Sequence, residues 1–192
     1  LPLIICNVQR GGPSTGLPTK VEQSDLLQSM FSRNGDSPIP IIAAHSASDC
    51  FDCALEATRI ALTYKTPVIL LSDLYIANGA EPWGIPNVSE LPDLEVPFVD
   101  TCEEYLVYKR DPETLAREQA IPGQAGLEHR VGGLEKDESG GVSYDPENHE
   151  KMTHLRAAKV VAIAKKLLPL EVNGEPEGDV LVLGWGGTYG AI

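Results

Sequence analysis

The chain has 192 residues, 42% hydrophobic, 22% charged and 6% aromatic, enough to bury one ordinary core and too apolar for a disordered chain. Fifteen Lys and Arg against 28 Asp and Glu give a formal charge of −13, so a face for a phosphodiester backbone would have to be built against the chain's own field, which argues against nucleic acid as a partner. No apolar run approaches the ~20 residues that span a bilayer, which leaves no membrane partner to expect. Four cysteines, Cys6, Cys50, Cys53 and Cys102, sit within apolar strand or helix patterns; that usage fits a reducing, cytoplasmic setting better than a disulfide scaffold.

Residues 3–8 read as a buried strand, and after the glycine-rich turn 11–16 the spacing predicts a helix over 19–33, with Leu26 and Met30, and Leu27 and Phe31, each four apart. Thr19 followed by Glu22 has capping-box spacing, and Asn34-Gly35 supplies the stop. A short strand at 39–44 and a helix at 46–65 follow, the helix with Phe51, Ala54, Leu55, Ala61 and Leu62 along one stripe. Residues 67–71 form another buried strand. Continuous apolar strands alternating with helices predict an α/β fold: a parallel sheet with helices on both faces.

From 78 to 97 the chain turns proline-rich and loses periodicity, an extended excursion anchored by Trp83 and Ile85. The stretch 110–144 is similarly irregular and glycine-rich. Residues 148–168 read as an amphipathic helix with Ala157, Val160, Val161, Ala164, Leu167 and Leu168 on one face, ended by Pro169. A polar linker at 171–178 leads to DVLVLGWGGTYGAI, a buried-strand pattern followed by a glycine turn. The opening LPLIICNV has no basic leader. Both ends read as interrupted folds, so the sequence is expected to be an internal piece of a longer polypeptide: a domain over 1–110, an irregular connector with one helix over 111–178, and the start of a second α/β domain over 179–192.

The densest chemistry lies in NVQRGGPSTGLPT, between a parallel strand and a helix, the edge where open α/β sheets bind ligands. Arg10 offers a bidentate fork to a carboxylate or phosphate, with Gly11 and Gly12 keeping the backbone clear. Ser14, Thr15 and Thr19 add hydroxyl donors. The competing reading is a surface ion pair and a turn needed only for chain reversal. A P-loop is rejected because Leu17 and Pro18 follow Gly16 and Lys20 arrives too late. GWGGTYG at 184–190 resembles a dinucleotide fingerprint, but its last glycine falls one residue late.

Cys50 and Cys53 form a CxxC inside a helical pattern with no second pair, so buried helix cysteines are expected and no metal site. His45, His149 and His154 show no ligand spacing, and the last two read as helix-surface residues. His129, in GLEHRVGG, keeps a place in the candidate site loop. Asp73, closing LLSD, is either a helix cap or a polar site residue, with capping favoured. Asn87-Val88-Ser89 matches a glycosylation acceptor that a cytoplasmic chain would not use.

At NVQRGGPSTGLPTKVEQSDLL the sequence closely resembles the alpha subunits of 2-oxoacid:ferredoxin oxidoreductases, in particular the 2-oxoglutarate type. The likeness continues through PVILLSDLYIANGAEPW, AGLEHRVGGLE and LVLGWGGTYG. It implies the pyrimidine-type domain of a thiamine diphosphate-binding fold, followed by the start of a transketolase C-terminal-like domain. It also implies a beta subunit that carries the iron–sulfur cluster and the diphosphate- and Mg-binding domain, with thiamine diphosphate at the subunit interface and none bound by this piece alone. The implied reaction is oxidative decarboxylation of 2-oxoglutarate with coenzyme A to succinyl-CoA and CO2, with ferredoxin as electron acceptor.

By the same resemblance Arg10 meets the substrate carboxylate while Thr15 and Thr19 line the pocket. Ser14 joins them as a hydroxyl donor, with Gly11, Gly12, Asp73 and His129 as the surrounding loop. The activating glutamate and a YPITP-type motif would lie upstream of Leu1, so no catalytic residue is expected here and the piece would not act alone. Two alternatives stay open: the same chemistry on pyruvate or a broad range of 2-oxoacids, and a non-catalytic phosphate- or nucleotide-binding α/β module. The acidic field does not favour an anionic substrate, but screening confines it to about 8–10 Å at physiological salt, and a local guanidinium can act against it.

Overall fold

A computed structural model describes residues 1–100 and 103–192; Cys102 lies outside the described residues. Three strands, β1 (Leu3–Gln9), β2 (Ile41–Ala43) and β3 (Pro67–Asp73), form one parallel sheet in the order β1-β3-β2. Leu3 pairs with Pro67 and Gln9 with Asp73, while Ile41 pairs with Ile69. Successive side chains of a strand face opposite sides of a sheet. In β3 every residue from Val68 to Asp73 is buried, so both of its faces are covered, as the apolar run predicts.

The strand β1 departs from that expectation. It is an edge strand, and Leu3, Ile4, Ile5, Cys6 and Val8 are exposed. An apolar run predicts burial only where another element lies against it, and among the described residues no further strand pairs with the free edge of β1.

Helix α2 (Asp49–Tyr64) makes the core against β3. Its buried residues are Ala57, Ile60, Ala61 and Tyr64, a helical i, i+3, i+4, i+7 stripe; of the predicted stripe only Ala61 is buried. With Val68 and Ile163 these residues form one cluster, and Ile42 and Ala162 pack on its margin. Cys50 and Cys53 are half-buried free thiols, and burial beside Asp49 pushes the Cys53 thiol up to about 12. Among the described residues no group of three His, Cys, Asp or Glu could hold a metal ion.

The predicted helix at 19–33 shrinks to α1 (Leu26–Phe31). Thr19 takes a left-handed backbone at φ 59° and no capping box forms with Glu22. Non-helical hydrogen bonds hold the turn instead: the Gly11 N–H donates to the Lys20 carbonyl and the Leu17 N–H to the Gly11 carbonyl, at 3.3 and 2.7 Å. A five-residue helix α3 (Leu74–Asn78) follows β3 directly.

In the proline-rich stretch Trp83 rests on Phe51 with ring centroids 5.3 Å apart, but Ile85 is 88% exposed and anchors nothing. Helix α4 (Pro146–Ala164) starts at the Asp145 cap and ends five residues before Pro169. It buries Met152 and Ile163, whereas Val161, Leu167 and Leu168 of the predicted face are exposed. The strand expected in DVLVLG does not form: residues 180–183 are exposed and unpaired, because among the described residues no strand lies beside them. No helix among the described residues is long and apolar enough to cross a membrane.

Candidate functional site

Because the three strands are parallel, their carboxyl ends, Gln9, Ala43 and Asp73, share one edge of the sheet. Polar residues at the end of β1 anchor the segment ahead of α1. Gln9 is 1% exposed; its Nε2 donates to the Ser72 carbonyl at 3.2 Å, and its Oε1 accepts from the Asp25 N–H at 3.1 Å. Asn7 Nδ2 donates to Asp25 Oδ2 at 2.9 Å. The strand end thereby fixes the segment that brings Gln23 over the edge.

Asp73 is 1% exposed. Its Oδ1 accepts from the N–H groups of Tyr75 and Ile76 at 2.8 and 3.0 Å, so it caps α3. Its Oδ2 accepts from Gln23 Nε2 at 3.4 Å, and the same nitrogen reaches the Trp185 carbonyl at 3.1 Å. The carboxyl-terminal glycine turn thus closes on β3 as a 3-10 helix, Gly186–Ala191. Gly186 has φ 60°, a left-handed backbone that favours glycine, and a Cβ there would push the Gln23 amide aside. The Tyr189 ring stacks near His45, centroids 4.6 Å apart.

These elements enclose a cleft of about 1170 Å³ at the carboxyl edge of the sheet, where α/β sheets bind ligands. Thr19, Gln23, His45 and Asp73 are among its lining residues, with Gly187 and Thr188 from the terminal turn. Hydrogen bonds from Ser48 and Ser46 hold the Glu81 carboxyl, which also lines the cleft, below the usual carboxylate range. Thr19 is an exposed, β-branched residue in the left-handed region, a conformation such residues hold only under strain.

Arg10 follows β1 directly and packs near Gly16. Its guanidinium has no hydrogen-bond or ion-pair partner among the described residues, so the surface ion pair of the competing reading is not made. Gly11 is buried, while Gly12, Ser14 and Thr15 are exposed in the same turn. Of the predicted site residues, therefore, the fold places Thr19 and Asp73 in the cleft wall and Arg10, Gly11, Gly12, Ser14 and Thr15 in the turn leading to it.

His129 is not part of the cleft lining. Its Nδ1 lies 2.8 Å from the Leu127 carbonyl and its ring meets Tyr105 edge-on at 5.1 Å, a local packing role. Gln9 and Gln23 are not singled out by the sequence, and His45 is singled out there only as a histidine without metal-ligand spacing. The signal for Gln9 was an amide interrupting an apolar strand; Gln23 and His45 gave none, since their positions depend on the terminal turn.

Residues 1–145 match the family model described as pyruvate flavodoxin/ferredoxin oxidoreductase, thiamine diphosphate-binding. The chain belongs to this family. Among relatives of the oxidoreductase family, the chain is 56% identical to 2-oxoglutarate oxidoreductase subunit KorA of Mycobacterium tuberculosis, over 100% of this chain and 29% of that protein. It is 33% identical to 2-oxoglutarate synthase subunit KorA of Archaeoglobus fulgidus, over 98% and 46%. A solved 2-oxoglutarate:ferredoxin oxidoreductase from Magnetococcus marinus, with 2-oxoglutarate, coenzyme A and succinyl-CoA bound, superposes with a TM-score of 0.91 at 35% identity, over 98% of this chain and 33% of that one. The chain thus spans about a third to a half of the length of these relatives.

Proposed function

We propose that this chain is the pyrimidine-side part of the alpha subunit of a 2-oxoglutarate-type 2-oxoacid:ferredoxin oxidoreductase. In this reading residues 1–110 form the thiamine domain, 111–178 the connector and 179–192 the start of the next domain. The enzyme oxidatively decarboxylates 2-oxoglutarate with coenzyme A to succinyl-CoA and CO2 and passes the electrons to ferredoxin. The beta subunit contributes the Mg-bound diphosphate site and the iron–sulfur cluster, and the assembly works in the cytoplasm. The observation that carries the reading is the Arg10 guanidinium after the carboxyl end of β1, without a hydrogen-bond or ion-pair partner among the described residues, in a chain 56% identical along its whole length to a 2-oxoglutarate oxidoreductase subunit.

The cleft suits one end of the cofactor. Its lining includes three carboxylates, Glu22, Asp73 and Glu81, and among the described residues no Lys or Arg. Such a surface repels a diphosphate and accepts a neutral heteroaromatic ring, so the pyrimidine end would lie here with Gln23 and the Gly186–Gly187 backbone around it. Bound thiamine diphosphate supplies the carbanion stabilisation that the reaction needs. This chain's residues bind and orient. Arg10 presents two parallel N–H groups to the 2-oxoacid carboxylate, Thr15 and Thr19 donate hydroxyls around it, and the terminal turn covers the edge against water.

The test is the complete complex assayed with coenzyme A and ferredoxin. Turnover on 2-oxoglutarate well above pyruvate is expected. Preference for pyruvate would overturn the substrate assignment, and nucleotide binding without turnover on any 2-oxoacid would overturn the whole reading.

A further inference from the structure

A second cavity, of about 320 Å³, opens at the opposite end of the sheet, between Pro38 and Ile39 ahead of β2, Thr66 and Pro67 where β3 begins, and Leu155 and Val160 of α4. In a chain of net charge −13, its lining carries four cations, Arg33, Arg110, Arg156 and Lys159, and one carboxylate, Asp36.

Two of the cations are satisfied by the protein. Arg156 Nε donates to Asp36 Oδ2 at 2.8 Å and its Nη1 to Glu135 Oε2 at 2.9 Å. Arg33 donates to the carbonyls of Ser29, Met30 and Ser37. The other two are not. Arg110 forms no ion pair among the described residues: it donates to the Tyr108 carbonyl at 3.3 Å and the Met152 sulfur at 3.4 Å, and feels the Glu138 carboxylate, which is bonded to Lys151, through its charge alone. The Lys159 ammonium has no hydrogen-bond or ion-pair partner among the described residues.

Both are partly buried. Burial, with Arg110 and Arg117 nearby, pushes Lys159 down to about 8, and burial likewise lowers Arg110. Two desolvated cations that share a cavity and form no ion pair among the described residues are unfavourable, and a matching anion relieves both the desolvation and the repulsion.

We infer that this cavity is a binding site for a small phosphate-bearing anion, held between the Arg110 guanidinium and the Lys159 ammonium. A phosphate dianion balances the charges of Arg110 and Lys159, and its tetrahedral oxygens can accept from the guanidinium fork and the ammonium together. The volume sits at the lower end of the ~300–1,000 Å³ usual for small-molecule sites. Pro38, Ile39, Leu155 and Val160 give an apolar wall for the carbon part of a phosphomonoester. The site lies at the opposite edge from the cleft of the proposed reaction and does not depend on that reading.

The test uses the full-length protein in its complete complex, saturated with thiamine diphosphate and exchanged into phosphate-free buffer, with chloride keeping ionic strength constant. Calorimetric titration with inorganic phosphate and with glycerol phosphate should show saturable binding, weakened about ten- to a hundredfold by Arg110→Gln. Tighter binding of glycerol phosphate identifies a phosphorylated metabolite as the ligand; equal affinity identifies free phosphate. Lys159→Met should raise the melting temperature in phosphate-free buffer and abolish the further rise that phosphate gives the parent protein. Arg110→Lys serves as a second variant with the charge retained and the fork lost, and should bind more weakly than the parent. Absence of saturable binding, or affinity unchanged in variants that keep their turnover, overturns the inference.

Discussion

Gly187 lies so close to the Asp73 carboxylate that a Cβ at Gly187 would overlap Asp73 Oδ2. The carboxyl-terminal turn and the end of β3 therefore share a contact that only glycine permits, and Gln23 bonds to both sides of it. Residues more than a hundred positions apart make one wall of the cleft.

Gly187→Ala should force Asp73 or the turn to move, destabilising the protein by about 1–3 kcal/mol in the way overpacked sites do. Gly190→Ala, where a Cβ meets nothing within 4 Å, serves as the control and should be close to neutral. Thermal unfolding of the two variants in the complete complex measures the difference. Equal melting temperatures would mean that the turn does not rest on Asp73.

Arg10→Met should raise KM for 2-oxoglutarate about ten- to a hundredfold, the range expected for losing a hydrogen bond to a charged group. Stability should hardly change, because Arg10 has no partner among the described residues to lose. Steady-state kinetics and a melting curve on the same preparation separate these effects; unchanged KM would remove Arg10 from the substrate site.

Thr19 combines a left-handed backbone with a β-branched side chain. Thr19→Gly relieves the strain, so the folded state should gain up to about 1 kcal/mol, while KM for the 2-oxoacid rises as the hydroxyl is lost. A variant less stable than the parent would show that the conformation is not strained.

The Lys159 ammonium is displaced from its ordinary 10.5 down to about 8. A depressed pKa in a cationic group means that the folded protein carries a penalty for the charge, fully present below the folded value. Between about pH 8 and 10.5 the unfolded chain binds more protons than the folded one, so this group makes stability rise with pH across that window. Urea unfolding in phosphate-free buffer should show the rise in the parent and its loss in Lys159→Met. Identical pH profiles in the two proteins would place Lys159 in water.

Much of the fold could be read from the chain because its causes are local. The apolar runs at 3–8 and 67–71 and the helical spacing after Ser46 yield β1, β3, α2 and their parallel order, and LLSD places Asp73 at a helix cap as expected. Errors arose where a pattern needed a partner. Leu3, Ile4, Ile5 and Val8 carry the apolar run of a core strand and sit exposed on the sheet edge, and residues 180–183 have the same character without becoming a strand. The spacing around Leu26 predicts a longer helix than α1 because it carries no trace of the tertiary hydrogen bond that holds Asp25 to Gln9.

The sequence by itself determined the parallel α/β order, the turn after β1 and the residue types available there, since backbone preference and hydrophobic period act over a few neighbours. Only the tertiary structure decided that Gln23, Asp73 and the Gly186–Gly187 turn make one wall, and that Arg110 and Lys159 share a cavity with neither in an ion pair among the described residues. Those relationships join segments far apart in the chain, and their energies, from close packing, desolvation and charge, exist only once the segments are in contact.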